Sequence, residues 1–150
     1  MRLFEFDWSQ TFEHAVTLLV ACVIALPVGW DREQAGRTPG LRTFPLVALS
    51  SCAYVLVGRV AFGSDPEAAS RMLQGLMTGI GFIGGGAILK SSNRVHGTAT
   101  AASVWTTGAI GASVAHNHLE IALILSLLTF TALRWLQVDG TERPDGELGS

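Results

Sequence analysis

The chain alternates between long segments without charge and short segments dense in it. Residues 15–30 (AVTLLVACVIALPVGW) hold no charged side chain. Neither do 44–58, and there the apolar run continues past Arg59 to Phe62. Residues 72–89 are charge-free over 18 positions, 98–119 contain no Asp, Glu, Lys or Arg, and 119–136 are aliphatic between Glu120 and Arg134. A membrane helix needs about 20 mostly apolar residues, so these runs are of spanning length or slightly short. Bounding arginines such as Arg59 and Arg134 can snorkel to make up the difference. A soluble bundle of this size exposes much of every helix and needs polar outer faces, yet 72–89 and 99–115 have no charged face at all. The pattern predicts an all-α, polytopic transmembrane helix bundle of about five helices over 1–136, then a mobile polar tail over 137–150.

Local signals refine this outline. Asp65-Pro66-Glu67 reads as an N-cap, a proline at the first helical position and an acidic first turn, so the third helix starts near Pro66 and runs to Leu89. Thr38-Pro39-Gly40 and Ser91-Ser92-Asn93 are turn signals. Pro45 fits the first turn of the second helix, and Thr98 or Thr100 can cap the fourth. The first segment is the weakest span, because Glu13 and His14 closely precede it and Pro27 interrupts its end. It does not read as a cleaved signal, since Glu5, Asp7 and Glu13 outnumber Arg2 ahead of it and no small-x-small site follows. With five crossings, one side receives Arg32, Arg37, Arg42, Lys90, Arg94, Arg134 and Arg143, and the other Arg2, Arg59 and Arg71. Positive charge accumulates on the cytoplasmic side, which places the N-terminus outside and the C-terminus inside.

Composition changes this picture little. In 150 residues, charged side chains make up 15%, against about 25% in ordinary globular chains. The 17 glycines exceed the usual share, and the mean hydropathy is +0.40. A net charge of −2 gives no basic field for nucleic acid. Cys22 and Cys52 both fall in apolar runs, where small apolar packing is the default reading and a disulfide framework is not expected.

Several stretches carry candidate chemistry. Gly79-Ile80-Gly81-Phe82-Ile83-Gly84 matches the dinucleotide-binding string G-x-G-x-x-G. That fingerprint needs a preceding strand and an acidic residue about 20 positions on, and no Asp or Glu lies between Ala68 and Leu119. Packing is the better reading. Gly75 and Gly79, then Gly81 and Gly85, are spaced for close helix approach in lipid, and the small residues of 99–115 make the fourth helix the natural partner. Gly84-Gly85-Gly86 can instead loosen the helix and free carbonyls toward a polar cavity.

The segment 29–43, GWDREQAGRTPGLRT, places Asp31, Arg32, Glu33, Arg37 and Arg42 within twelve residues, with Thr43 abutting the next apolar run. Two readings stay open: a solvated loop that sets topology, or a site where arginine holds a carboxylate or phosphate at the membrane boundary. If magnesium binds anywhere, Asp31 and Glu33 are the candidates, because Mg²⁺ takes one or two carboxylates and keeps several waters. The loop containing Lys90, Arg94, Thr98 and Thr100 falls on the same predicted side. Together the two loops can form a basic pocket for an anionic lipid head group, a nucleotide phosphate or an acidic protein segment. His116 and His118 sit in a short connection on the opposite side, where solvated loop histidines are the default over a metal site. No Walker loop, zinc cluster or nucleophile elbow occurs, and the chain does not read as an enzyme.

The runs GWDREQAGRTPGLRTFPLVALSSC and GIGFIGGGAILKSSNRVHGTATAASVWTTGAIG resemble the MgtC/SapB family of bacterial inner-membrane proteins, and the likeness covers roughly residues 15–136. Family members usually carry Glu where Asp31 stands, which keeps the carboxylate. They often carry His where Phe44 stands, and here that titrating group is lost. The resemblance implies a multi-pass protein of the inner membrane involved in growth under magnesium limitation and, in pathogens, in survival inside host cells. It also implies restraint of a membrane complex such as the F-type ATP synthase. The name-giving member has a soluble C-terminal domain, and only 137–150 stand in that place here.

Three functional readings follow. The first is a regulatory membrane protein acting by contact with another complex or by self-association as a homo-oligomer. The second is a transporter or channel for a cation, with magnesium foremost. The third is a lipid- or nucleotide-sensing module built on Arg37, Arg42, Lys90 and Arg94.

Overall fold

The computed structural model describes residues 7–35, 40–91 and 94–135. Five helices account for most of them: α1 (Trp8–Gln34), α2 (Thr43–Phe62), α3 (Pro66–Gly86), α4 (Thr98–Ala115) and α5 (Leu119–Trp135). Between α3 and α4 lies an antiparallel hairpin, β1 (Leu89–Ser91) and β2 (Arg94–His96), with Leu89 opposite His96 and Ser91 opposite Arg94. The all-α expectation is met, while this hairpin replaces the plain turn expected there. Arg37, Thr38 and Pro39, the pair Ser92-Asn93 and the tail 137–150 lie outside the described residues.

The helix boundaries follow from their caps. Asp7 caps α1 by accepting from the backbone N–H groups of Ser9 (2.9 Å) and Gln10, so α1 begins well before the apolar run does. It also passes through Pro27, where the sequence predicts an interruption of its end, and carries Asp31, Arg32 and Glu33 in its last turns. Asp65 caps α3 through Glu67 N and Ala68 N, and Pro66 opens the helix, as expected. Pro45 sits in the first turn of α2. The cap of α4 differs from expectation. It is Gly97, at φ +87°, and neither Thr98 nor Thr100 caps the helix. A Cβ at 97 would overlap the Ala87 carbonyl oxygen, so the strand-to-helix corner requires glycine on both counts. The helix α3 stops at Gly86 rather than Leu89, and Ala87 N and Ile88 N bond back to Gly84 O and Gly85 O to close its last turn.

Contacts between helices give their directions. Ser126 Oγ donates to Ile24 O (2.6 Å) and Arg32 Nη2 to Leu133 O, so α1 and α5 run parallel. Gly29 faces Leu41 and Phe44, so α2 runs back along α1. Gly81 approaches Trp105 and Gly84 approaches Ala101, so α3 and α4 are antiparallel. The C-terminal ends of α1, α3 and α5 therefore share one end of the bundle with the N-terminal ends of α2 and α4. Residues 31–35, 40–43 and 94–100 lie at that end together.

The helix α4 is central and touches the other four. Its buried positions are small or branched (Ser103, Val104, Thr107, Gly108, Ile110, Gly111, Val114), and its hydroxyls bond within the helix, Ser103 to Thr100 O and Thr107 to Ser103 O. Among the described residues no buried side-chain polar atom lacks a partner. Gly111 lies so near α2 that an added Cβ would overlap the Ala48 carbonyl oxygen, and at Gly108 it would overlap the Ile80 side chain.

The expected glycine seam between α3 and α4 is corrected. A Cβ at Gly75, Gly79, Gly85 or Gly86 would meet nothing within 4 Å, and at Gly81 only Trp105 Nε1 at 3.9 Å; Gly84 alone approaches α4 backbone, at 3.3 Å from Ala101 O. The reason is helical phase. Ile80 and Gly84, four apart, form the face toward α4, and at about 100° per residue Gly75 and Gly79 turn onto another face. Around this core, large apolar side chains point outward, among them Leu19, Val23, Tyr54, Val57, Phe82, Leu123 and Leu127. By length and composition, α1 and α2 can each cross a membrane.

The crossing of α2 and α4 predicts a contrast between glycines. Gly111→Ala should destabilise the purified chain by about 1–3 kcal/mol, the usual result of overpacking, whereas Gly85→Ala should hold or raise the thermal midpoint. Thermal unfolding of the two variants beside the parent measures this.

Candidate functional site

At the shared end, α1 carries Asp31 and Arg32 into the interior, each only 3% exposed. The Arg32 guanidinium folds back on its neighbour and donates from both Nε (3.1 Å) and Nη2 to Asp31 Oδ2. Nη2 also reaches the Leu133 carbonyl of α5 at 3.5 Å. That carbonyl belongs to the last turn of α5, where backbone oxygens have no helical donor and the dipole is negative. The pair thus neutralises itself and ties α1 to α5. It rests on a cluster of Val28, Phe44, Val47, Ile80, Val104 and Leu133. Phe44 is fully buried there, so this position is a packing site.

Glu33 does different work. Its Oε2 accepts from Leu41 N at 2.7 Å, and Gly40 lies against it, so that an added Cβ would crowd the carboxylate. Gly40 O in turn accepts from Thr43 N (3.0 Å) and Phe44 N. Glu33 thereby fixes the chain that enters α2. The two acidic candidates for magnesium are separated by these partners: Asp31 is held by arginine inside the bundle, and Glu33 by backbone N–H at its edge. Among the described residues no group of three His, Cys, Asp or Glu side chains is placed to hold a metal ion.

The other expected site residues are distributed around this end. Arg42 is exposed at the start of α2 and makes no side-chain cap bond, with half-buried Thr43 beside it. Thr100 is buried in the first turn of α4, and Thr98 is exposed. Lys90 pairs with Val95 in the hairpin register, and Arg94 with Ser91. The hairpin's own extensive contact is strand to strand. The described parts of the two loops, residues 31–35 and 40–43 and residues 94–100, therefore share one end of the bundle.

At the opposite end, Arg59 Nη1 donates to Ala115 O at 2.6 Å, capping α4 as Arg32 caps α5. His118 Nδ1 meets Glu120 Oε1 at 3.0 Å. Burial, together with the charge of Arg59 and the neighbouring His118, holds the His116 imidazole below its ordinary pKa. Arg59 had the sequence signature of an interfacial anchor only; its carbonyl partner lies 56 residues away and left no local mark. The same is true of Ser126 and Ile24.

With the geometry in place, comparison with known proteins decides the family. The sequence matches the MgtC family over residues 18–139. The chain belongs to the MgtC family. It is 37% identical over 135 residues to SrpB of Synechococcus elongatus, which covers 80% of this chain and 74% of SrpB. It is 32% identical over 133 residues to YhiD of Escherichia coli K12, a protein whose name proposes magnesium transport, covering 83% of this chain and 60% of YhiD. With MgtC of Salmonella typhimurium it shares 29% identity over 121 residues, covering 81% of this chain and 51% of MgtC. The chain thus spans between about half and three quarters of these relatives. No solved structure matches it.

Two outcomes follow from the geometry of this MgtC-family chain. Asp31→Asn leaves the buried Arg32 charge uncompensated and should lower stability by about 3–5 kcal/mol, while the double variant Asp31→Asn, Arg32→Gln should recover part of that loss; a thermodynamic cycle on purified protein measures both. At the other end, His116 binds its proton more weakly when folded. Its contribution to stability is complete above the ordinary value of 6.5 and is lost as pH falls below it. Thermal midpoints measured from pH 7.5 to 5 should drop, and His116→Gln should flatten that dependence.

Proposed function

We propose that this MgtC-family chain is a multi-pass protein of the bacterial inner membrane with five crossings, its N-terminus outside and its C-terminus cytoplasmic. It acts by contact with another membrane complex, or with its own copies, in adaptation to magnesium limitation. The observation that carries this reading is the exposure of α3. Of its 21 residues only Ile80 and Gly84 are buried, and Phe82 is 86% exposed. Its outward face also presents Gln74, Thr78 and Gly85. A glutamine and a bare glycine backbone in mid-membrane favour protein contact over lipid, because small residues let helices approach and polar side chains bond across them.

Magnesium transport is the second reading, favoured by the name of YhiD. Against it, an entering cation has to displace Arg32 from Asp31, an exchange that leaves a buried guanidinium unpaired.

One pair of measurements separates the readings. A photocrosslinking amino acid at position 82 should yield a discrete adduct with a second polypeptide in intact cells, whereas the same group at position 127 on α5 should not. Purified protein in liposomes should pass Mg²⁺ no faster than empty vesicles. Flux above that background that is abolished by Asp31→Ala would establish the transporter instead.

A further inference from the structure

The bundle carries a second surface feature, beside the outward face of α3. Between α2 and α3 runs a groove of about 650 Å³, walled by Leu46, Tyr54, Met72 and Ile83 and floored by Gly75 and Gly79. Both glycines have open space where a side chain would stand. The volume lies in the middle of the range of roughly 300–1,000 Å³ typical of small-molecule sites. From Thr43 to Tyr54 on α2, and from Met72 to Ile83 on α3, the groove extends over eleven residues of helix. At 1.5 Å per residue that is roughly 17 Å, close to one leaflet of a hydrocarbon core about 30 Å thick.

The two ends of the groove differ. One end lies at Tyr54 and Met72, in mid-bundle. The other, at Thr43 and Ile83, lies toward the end of the bundle that holds the Asp31–Arg32 pair. Arg42 stands at that end of the groove, next to Thr43. It is exposed, and among the described residues its guanidinium has no ion pair or hydrogen bond. An apolar slot one leaflet deep with an unpaired cation at one end is complementary to an amphiphile with an anionic head.

We propose that the α2–α3 groove is a resident site for one anionic phospholipid, with an acyl chain along Gly75 and Gly79 and the phosphate at Arg42 and the Thr43 hydroxyl. Arginine suits this role because its fork donates two parallel hydrogen bonds to phosphate oxygens. The inference rests on the membrane reading above, with this end of the bundle in the cytoplasmic leaflet. At about 100° per residue Phe82 adjoins Gly75 at the edge of the groove, while Gly85 is turned well away from both groove glycines.

Native mass spectrometry of the full chain, extracted in detergent and offered equal amounts of dioleoylphosphatidylglycerol and dioleoylphosphatidylcholine, tests it. The parent should retain one phosphatidylglycerol, at about ten times the occupancy of phosphatidylcholine. Arg42→Gln, at an exposed position, should bring the two lipids level. Gly79→Leu should abolish retention of both, and Gly85→Leu, off the groove, should leave retention intact. Equal retention of the two lipids by the parent overturns the proposal, as does undiminished retention in Gly79→Leu. Displacement of the lipid by inorganic phosphate alone also overturns it, because that reduces the site to an anion contact. A dimer that Gly79→Leu converts to monomer assigns the groove to a second copy and overturns it too. Recovery of the chain from lysed cells without detergent defeats the membrane reading itself, and this is scored before any lipid is added.

Discussion

The end of the bundle depends on how a guanidinium can be kept out of water. A buried arginine is tolerated only when its charge is balanced and its N–H groups are occupied. For Arg32 the carboxylate of the preceding residue balances the charge, and its Nε and Nη2 groups donate to that carboxylate and to a carbonyl from the end of α5. The interaction settles more than one distance. It holds the last turn of α1 helical beyond the apolar run, draws α5 alongside α1, and commits the Asp31 carboxylate to a partner within the protein. Arg59 repeats the device at the far end by donating to the last carbonyl of α4. Each arginine thus closes a helix terminus that belongs to another element.

Between these ends the helices are held by small residues. Gly111 against Ala48 and Gly108 against Ile80 bring α4 close to α2 and α3, and Ser126 on α5 bonds to the backbone of α1. Where hydrocarbon surrounds a bundle, such close approach and such hydrogen bonds replace the hydrophobic effect as the cause of association. The helix α3 takes part least. Its single buried ridge of Ile80 and Gly84 leaves one side to the groove and another exposed, and it has the fewest buried residues of the five described helices.

Much of this arrangement is legible in the sequence, and the rest is not for identifiable reasons. Charge-free runs mark the helices because burial or lipid excludes charge, and Asp65-Pro66-Glu67 marks the start of α3 because an N-cap is a local event. Asp31, Arg32 and Glu33 stand out as charges at the edge of an apolar run. What each does, however, depends on Leu133, on Leu41 and on backbone atoms that no spacing rule reaches. The glycines mislead for the same reason. Their intervals of four place Gly75 with Gly79 and Gly81 with Gly85, but the phase of α3 about its axis, set by Ile80 against Gly108, decides which glycine meets a neighbour, and it selects Gly84. The Gly97 corner is a tertiary requirement too, imposed by the Ala87 carbonyl.

Central to this account is that Arg32 and Asp31 satisfy each other inside the protein, which commits the Asp31 carboxylate to a partner other than a cation. The most direct measurement is the nuclear magnetic resonance signal of the Arg32 Nε–H group in the purified, selectively labelled chain, followed through hydrogen exchange and a magnesium titration. The account predicts slow exchange with solvent and a resonance that magnesium leaves in place. Rapid exchange, or a shift that saturates as magnesium is added, would contradict it.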